Sequence, residues 1–590
     1  MCGFSGEIRF DGGTADAGAV ARMADAMRAR GPDAAGLYAQ GALALGHRRL
    51  RIIDVSEASA QPMVDPELGL AIAYNGAIYN YPELRAELEA EGYRFFSRGD
   101  TEVLIKAYHR YGPRFVERLN GMFAFAIWER ESGRVVLARD RLGIKPLYLS
   151  RAPGRLRFAS SLPALLAGGE VDTAINPRAL RFYMTFHSVV PAPDTILAGI
   201  EKLPPASVMV IEPDGRARTE RYWSLDFTVG REDARRSDAQ WEEAVMEALR
   251  AAVRRRLVAD VPVGALLSGG LDSSLIVALL ADEGARLKTF SIGFETIGEE
   301  RGDEFQYSDI VARRFGTDHT RLFVDTERVL PSLDGCIAAM SEPMMSHDAV
   351  AFYLLSEEVS RHVKVVQSGQ GADEVFAGYH WYPPLANSER PAEDYASVFF
   401  DRDRAGFREA VMPEFHGEDA PSDFVAGHFA AEGAPGPIDK ALRLDATVML
   451  VDDPVKRVDN MTMAFGLEAR VPFLDHELVE LAARVPANLK IAEGGKGVLK
   501  RAARRILPHE VIDRPKGYFP VPALKYIRGP YHDMVRELLS PGRVRARGLF
   551  RPAYVEAVLA DPDAHLSPLN GSHLWQMAVL EKWLTAHGIS

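Results

Sequence analysis

The chain has 590 residues, and its 70 Lys and Arg against 82 Asp and Glu leave a formal charge of −12. Hydrophobic residues at 47% and charged residues at 26% match globular usage and exclude disordered or fibrous chains. The acidic balance excludes wholesale nucleic-acid binding, which needs a basic face.

No apolar run approaches the ~18 residues that cross a bilayer, and the opening MCGFSGEIRF lacks the basic and apolar regions of a leader. The two cysteines, Cys2 and Cys336, form neither a disulfide framework nor a zinc-ligand spacing. A soluble, cytoplasmic protein with no membrane or nucleic-acid partner is expected.

In chain order, residues 43–55, 70–74, 122–128 and 135–138 are apolar or alternating runs closed by Gly, Pro, Asn and Asp, and they predict short strands. Helical periodicity runs over 17–28 and over 81–91, the latter between Pro82 and Gly92. Sheets with few helices predict an α+β layered domain over residues 1–225. Residues 226–240 are polar, lack periodicity and read as a linker. Beyond them the spacing predicts a helix over 241–256, a strand over 263–267, a helix over 273–282 and a strand over 289–293. A helix over 349–360 and a strand over 363–367 follow, and the tail from Ile438 reads as mostly helical. Such alternation predicts a parallel sheet and an α/β domain over 241–590.

Cys2 follows the initiator Met, and a small second residue permits removal of Met1. The exposed cysteine would then carry its own general base, an α-amine titrating near pH 8. His47-Arg48-Arg49-Leu50 puts guanidinium groups on a strand, where a planar fork suits a carboxylate. Asn75-Gly76 ends a strand with a side-chain amide and a close-approach N–H, the donors of an oxyanion hole. Asp100, after Gly99, supplies a carboxylate for an ammonium. A thiol, a carboxylate clamp, an ammonium clamp and an oxyanion hole together suit glutamine.

MCGFSG, RGPD, GHRRL, YNGAIYN, GDTEV, LNGMFAFAIW and ARDRLGIKPLY, in that order from Cys2 to Tyr148, resemble the class II glutamine amidotransferase domain. That resemblance implies a layered αββα Ntn-hydrolase fold, with Cys2 as nucleophile, Arg49 on the glutamine carboxylate, Asn75 and Gly76 at the oxyanion and Asp100 on the amine. The family commonly reads Asn-Gly-Glu where this chain has Ala77, so Asp100 is expected to carry more of the ammonium recognition.

In the second half an apolar strand runs into Ser268-Gly269-Gly270-Leu271-Asp272-Ser273-Ser274 and then a helix. Glycines allow close approach to phosphate, hydroxyls donate, and the helix start favours negative charge. The Lys of the Walker sequence is absent, and Asp272 within an anion loop implies Mg²⁺. A second loop, Ser368-Gly369-Gln370-Gly371-Ala372-Asp373-Glu374, follows the strand over 363–367 and could face the first at strand carboxyl ends, making Asp373 the second Mg²⁺ ligand. Lys516, in Arg514-Pro515-Lys516-Gly517, offers a cation for developing phosphate charge.

SGGLDSS resembles the pyrophosphatase loop of N-type ATP pyrophosphatases. With RVDNMTMAFGLEARVPFLD and RPKGYF, the second half resembles the asparagine synthetase catalytic domain. The resemblance implies ATP cleavage to AMP and pyrophosphate, an acyl-adenylate on a carboxylate acceptor, and ammonia travelling from Cys2 through an internal tunnel. Ser268, Gly269, Gly270, Asp272, Ser273 and Ser274 would hold pyrophosphate, and Ile292, Ser368 and Gly369 would line adenosine. A homodimer is compatible with it.

Asparagine synthetases typically carry an acid where Gln370 stands. A neutral amide better matches an acceptor whose amine is blocked, and the aromatic, Pro-rich HWYPPLANSERP from His380 could floor a larger pocket. YMTFHSVVPAP and VVQSGQGADEVFAGYHWYPP resemble the N-acetylglutaminylglutamine amidotransferases, a branch of the same family that amidates an N-acetylated dipeptide to give a compatible solute. An asparagine synthetase acting on aspartate and a glutaminase-only relic are the alternatives.

Overall fold

The computed structural model describes residues 2–284, 287–296, 302–514 and 527–590. Its amino-terminal part holds two antiparallel sheets of six strands each. The first runs, in spatial order, Glu201–Lys202, Tyr148–Ala152, Arg155–Ala159, Gly3–Arg9, Leu43–Arg49 and Ala34–Gln40. The second runs Ala217–Arg221, Ser207–Ile211, Val135–Arg139, Gly121–Glu129, Leu70–Ile78 and Met63–Asp65.

Alternation along these strands sends successive side chains to opposite faces. Phe4, Leu45, Ala71, Ala73, Ala124 and Ala126 meet between the sheets. Ile72, Tyr74, Phe123 and Phe125 face away, against Val103 and Leu104 of the helix Asp100–Tyr111. Helices Ala17–Ala26 and Leu162–Gly168 cover the outer side of the first sheet. The stack is helix, sheet, sheet, helix. The strand expected over 43–55 stops at Arg49, because Asp54 turns the chain by accepting from the Ser56 backbone N–H at 3.1 Å.

The polar stretch 226–240 is tied down at its start: Phe227 is buried, and its N–H donates to the Gly433 carbonyl at 2.8 Å. The next helix, Asp238–Arg255, starts before the apolar periodicity because Ser237 and Gln240 form a capping box, which has no hydrophobic signature.

The carboxyl-terminal part is built on five strands paired in parallel, ordered Asp318–Val324, Lys288–Phe294, Val263–Leu266, Val365–Gln367 and Glu468–Arg470. Sequence order reverses between Val263–Leu266 and Val365–Gln367. A crevice at the carboxyl ends of strands at such a switch point is where ligands bind in open α/β sheets. Among the described residues no helix is long and apolar enough to cross a membrane.

Candidate active site

Strand Gly3–Arg9 pairs with Leu43–Arg49, Gly3 opposite Arg48, which brings Cys2 and Arg49 to one end of the first sheet. The Cys2 backbone N–H donates to Asn75 Oδ1 at 3.0 Å, crossing to the second sheet. Asn75 is fully buried, and its Nδ2 has no hydrogen-bond partner among the described residues. Leaving a buried donor unpaired costs about 1–3 kcal/mol, and here that donor sits on the side chain that the Cys2 backbone N–H bonds. A Cβ on Gly76 would lie 2.1 Å from the Met122 carbonyl oxygen, so the backbone there demands glycine.

Cys2, Arg49, Gly76, Asp100 and Glu468 line one small pocket, with Ala77 on its wall. Arg49 Nη1 donates to the Ser56 carbonyl at 2.7 Å and Nη2 to that of Asp54, which fixes the guanidinium plane. Burial pushes the Cys2 thiol up, so its resting form is the thiol. Burial also lifts Asp100 to about 6, against hydrogen bonds from Ile78 N–H (3.0 Å) and the Tyr74 hydroxyl (2.9 Å).

The second site opens at the switch point, in a cavity of about 450 Å³. Ser268, Gly270, Asp272, Ser273, Ile292, Ser368, Gly369, Gln370 and Asp373 line it, whereas Gly269 and Ser274 stand behind the wall. Gly269 turns the loop at φ +76, where a Cβ would lie 2.5 Å from the Ser308 nitrogen, and Ser274 is buried in the helix Leu271–Asp282. The two loops touch: a Cβ on Gly369 would be 3.1 Å from both Asp272 Cβ and Ser273 N.

Lys516 lies outside the described residues. The lysine that reaches the two loops is Lys496, whose Nζ is 2.6 Å from Asp272 Oδ2 and 2.9 Å from Asp373 Oδ2. Burial opposes its charge, and the two carboxylates overcome that and hold it above the ordinary lysine range. Lys496 has a backbone φ of +57, a strained conformation of the kind kept at functional sites. Its signal in the sequence was the run Gly494-Gly495-Lys496 before the helix Gly497–Ala503, a glycine-flanked lysine at a helix start. Arg514 also lines the cavity, paired with Glu304 at 2.8 Å.

Among the described residues no cluster of three or more His, Cys, Asp or Glu side chains could hold a metal by itself. Two converging carboxylates beside a glycine-rich loop at a helix start nevertheless fit Mg²⁺, which keeps waters and completes its shell with substrate phosphates.

HWYPPLANSERP does not floor the cavity. The Trp381 indole N–H and the Tyr382 hydroxyl donate to Asp445 at 3.3 and 2.5 Å, because a buried carboxylate needs donors. Of this region only Tyr379 reaches the cavity wall, stacked on Trp381 at 4.2 Å between centroids and joining Phe290 and Phe352 there. Arg457 lies beside Tyr379, with Nη1 2.5 Å from Ser346 Oγ and an Nε that has no partner among the described residues.

Residues 1–223 match the family described as a glutamine amidotransferase domain, and residues 244–585 match that of asparagine synthase. Over its length the chain is similar to asparagine synthetase [glutamine-hydrolyzing] 1 of Bacillus subtilis, at 32% identity over 99% of this chain and 96% of that protein. It is 33% identical to a putative asparagine synthetase [glutamine-hydrolyzing] of Mycobacterium bovis, over 90% of this chain and 88% of that one. A likeness of 28% covers 89% of this chain and 88% of the amidase chry2 of Gibberella zeae.

Proposed function

The chain belongs to the glutamine-hydrolysing asparagine synthetase family, and from that premise we propose that this ligase amidates the terminal carboxylate of an N-acetylated dipeptide, N-acetylglutaminylglutamine. Glutamine is the nitrogen donor and ATP the energy source of the family. The Cys2 thiol, relieved of its proton by its own α-amine, attacks the glutamine side-chain amide while Arg49 holds the α-carboxylate. Negative charge developing on the carbonyl oxygen meets the unpartnered Asn75 Nδ2 and the Gly76 N–H.

In the second cavity the loop from Ser268 to Ser273 takes the pyrophosphate end of ATP, with Ile292, Ser368 and Gly369 along the adenosine. Mg²⁺ held by Asp272 and Asp373 would offset the phosphate charge. The acceptor carboxylate attacks the α-phosphorus, and Lys496 stabilises the charge on the departing pyrophosphate. Ammonia reaching the acyl-adenylate displaces AMP.

The observation that carries the acceptor reading is Gln370 in the cavity wall, beside Tyr379 and Arg457. An aspartate acceptor brings a free ammonium, for which Gln370 supplies no charge. An acylated dipeptide brings a neutral amide instead, so the uncharged Gln370 leaves no ammonium without a counter-ion. The reading makes the protein a cytoplasmic enzyme of compatible-solute synthesis. AMP release measured over a panel of carboxylates, with ATP, Mg²⁺ and glutamine, tests it. N-acetylglutaminylglutamine should be the preferred acceptor, and preference for aspartate would place the chain with the plain asparagine synthetases.

A further inference from the structure

The glutaminase pocket is not built from the amino-terminal half alone. Glu468, on the short strand Glu468–Arg470 of the parallel sheet, lines it beside Cys2, Arg49 and Asp100. The side chain is 1% exposed, and one oxygen accepts from Arg470 Nε at 2.6 Å. Burial would raise its pKa, but the Arg470 guanidinium opposes that, and the carboxyl is held below its ordinary range, so Glu468 is an anion near neutral pH.

Asp100 and Glu468 are the carboxylates among the residues lining this pocket. Asp100 Oδ2 already accepts two hydrogen bonds, and its raised pKa of about 6 weakens it as a counter-ion in mildly acidic solution. The wall at Ala77 offers only a methyl group. An α-amino acid lodged here with its carboxylate on Arg49 brings an ammonium that needs an anion, because an unpaired charge in a buried site is costly.

We infer that Glu468, supplied by the synthetase half, binds the α-ammonium of glutamine together with Asp100, and so sets the donor specificity of the glutaminase. The same strand then links the two centres. The Ser368 N–H of the nucleotide loop donates to the Arg470 carbonyl at 2.8 Å, two residues from Glu468. The parallel register sets Glu468 against Val365 and Arg470 against Gln367. The glutamine subsite is complete only when the synthetase sheet is in place.

The inference rests on Cys2 being the glutaminase nucleophile, and the test separates the two. Hydrolysis is followed in the full-length enzyme with glutamine and with 4-carbamoylbutanoate, which lacks only the α-amine. Glu468→Gln should lower kcat/KM for glutamine by about tenfold to a hundredfold, the loss of a charged hydrogen-bond partner. It should leave 4-carbamoylbutanoate hydrolysis and ammonia-dependent AMP release within about twofold of wild type.

Equal falls on both donors would mean that Glu468 acts on Cys2 or on the fold, and would overturn the inference, as would no fall on either. Should Glu468→Gln not fold, Asp100→Asn decides. Preference for glutamine over 4-carbamoylbutanoate should persist in that variant, and its disappearance would make Asp100 the sole ammonium partner. Glutaminase activity surviving in Cys2→Ala would instead sink the assignment of the pocket itself.

Discussion

On the proposed reading nucleophile and base belong to one residue at Cys2, and no described residue of the synthetase cavity lines its pocket. Cys2→Ala is therefore expected to abolish glutamine-dependent amidation and leave ammonia-dependent amidation near wild type, read as AMP release with each nitrogen source. If Asn75 Nδ2 is the oxyanion donor proposed above, Asn75→Ala should lower glutaminase kcat by about 10²–10³ with little change in KM. Asp100 gives a pH signature. Its pKa is raised to about 6 by burial, so its proton is lost as pH rises through that value, and KM for glutamine should fall over the same interval. An Asp100→Asn enzyme should show no such limb.

The candidate residues legible from the sequence were those with paired chemical signals: Cys2 after the initiator, Asn75 before an obligatory Gly76, Asp272 inside a glycine- and serine-rich loop. Lys496 and Glu468 were not legible. Each acts across a long sequence separation, Lys496 on Asp272 and Glu468 on the Cys2 pocket; the glycines before Lys496 mark a loop but not its distant partners, and Glu468 has no local pattern that distinguishes it from a solvated charge.

Two strand-to-helix loops, converging at the reversal of strand order, line the candidate nucleotide cavity, and both loops were readable because glycines and hydroxyls follow apolar strands. The strand Glu468–Arg470 was not readable. Three residues, two of them charged, show no period-two alternation, and only pairing with Val365–Gln367 defines them as a strand. The helix Asp100–Tyr111 was missed for another reason: Gly99-Asp100 reads equally as a ligand clamp and as a helix start, and here it is the first turn of a helix whose Asp100 also faces the pocket. At this scale the Mg²⁺ assignment is testable. Asp272→Asn and Asp373→Asn should each suppress acyl-adenylate formation while sparing glutaminase activity, since each removes one anionic ligand from a shared ion. The Mg²⁺ concentration for half-maximal AMP release should rise in both, and an unchanged Mg²⁺ dependence would count against the shared site.

Across the whole molecule the two centres are joined by charge buried between the halves. Asp459 accepts from Arg30 Nη1 at 2.9 Å and from Lys145 Nζ at 3.2 Å, and all three side chains are nearly inaccessible. Burial alone would raise the Asp459 carboxyl, but Arg30 and Lys145 outweigh it and hold it below its ordinary range. Arg30 Nε also donates to the Cys2 carbonyl at 3.3 Å, so this network reaches the nucleophile itself. A buried triad of this kind adds little net stability over a well-packed apolar core, yet removing one partner leaves the others desolvated and unpaired, at about 3–5 kcal/mol. Asp459→Asn should therefore lower unfolding stability by that order, measured by denaturant titration. Its functional effect should be larger than a simple loss of stability explains. With the Cys2 end of the interface loosened, ammonia escapes before meeting the acyl-adenylate, so glutamate formed per AMP released should rise above one while ammonia-dependent synthesis stays near wild type. A ratio that stays at one in a destabilised but folded variant would show that ammonia passes between the halves by a route that does not depend on this triad.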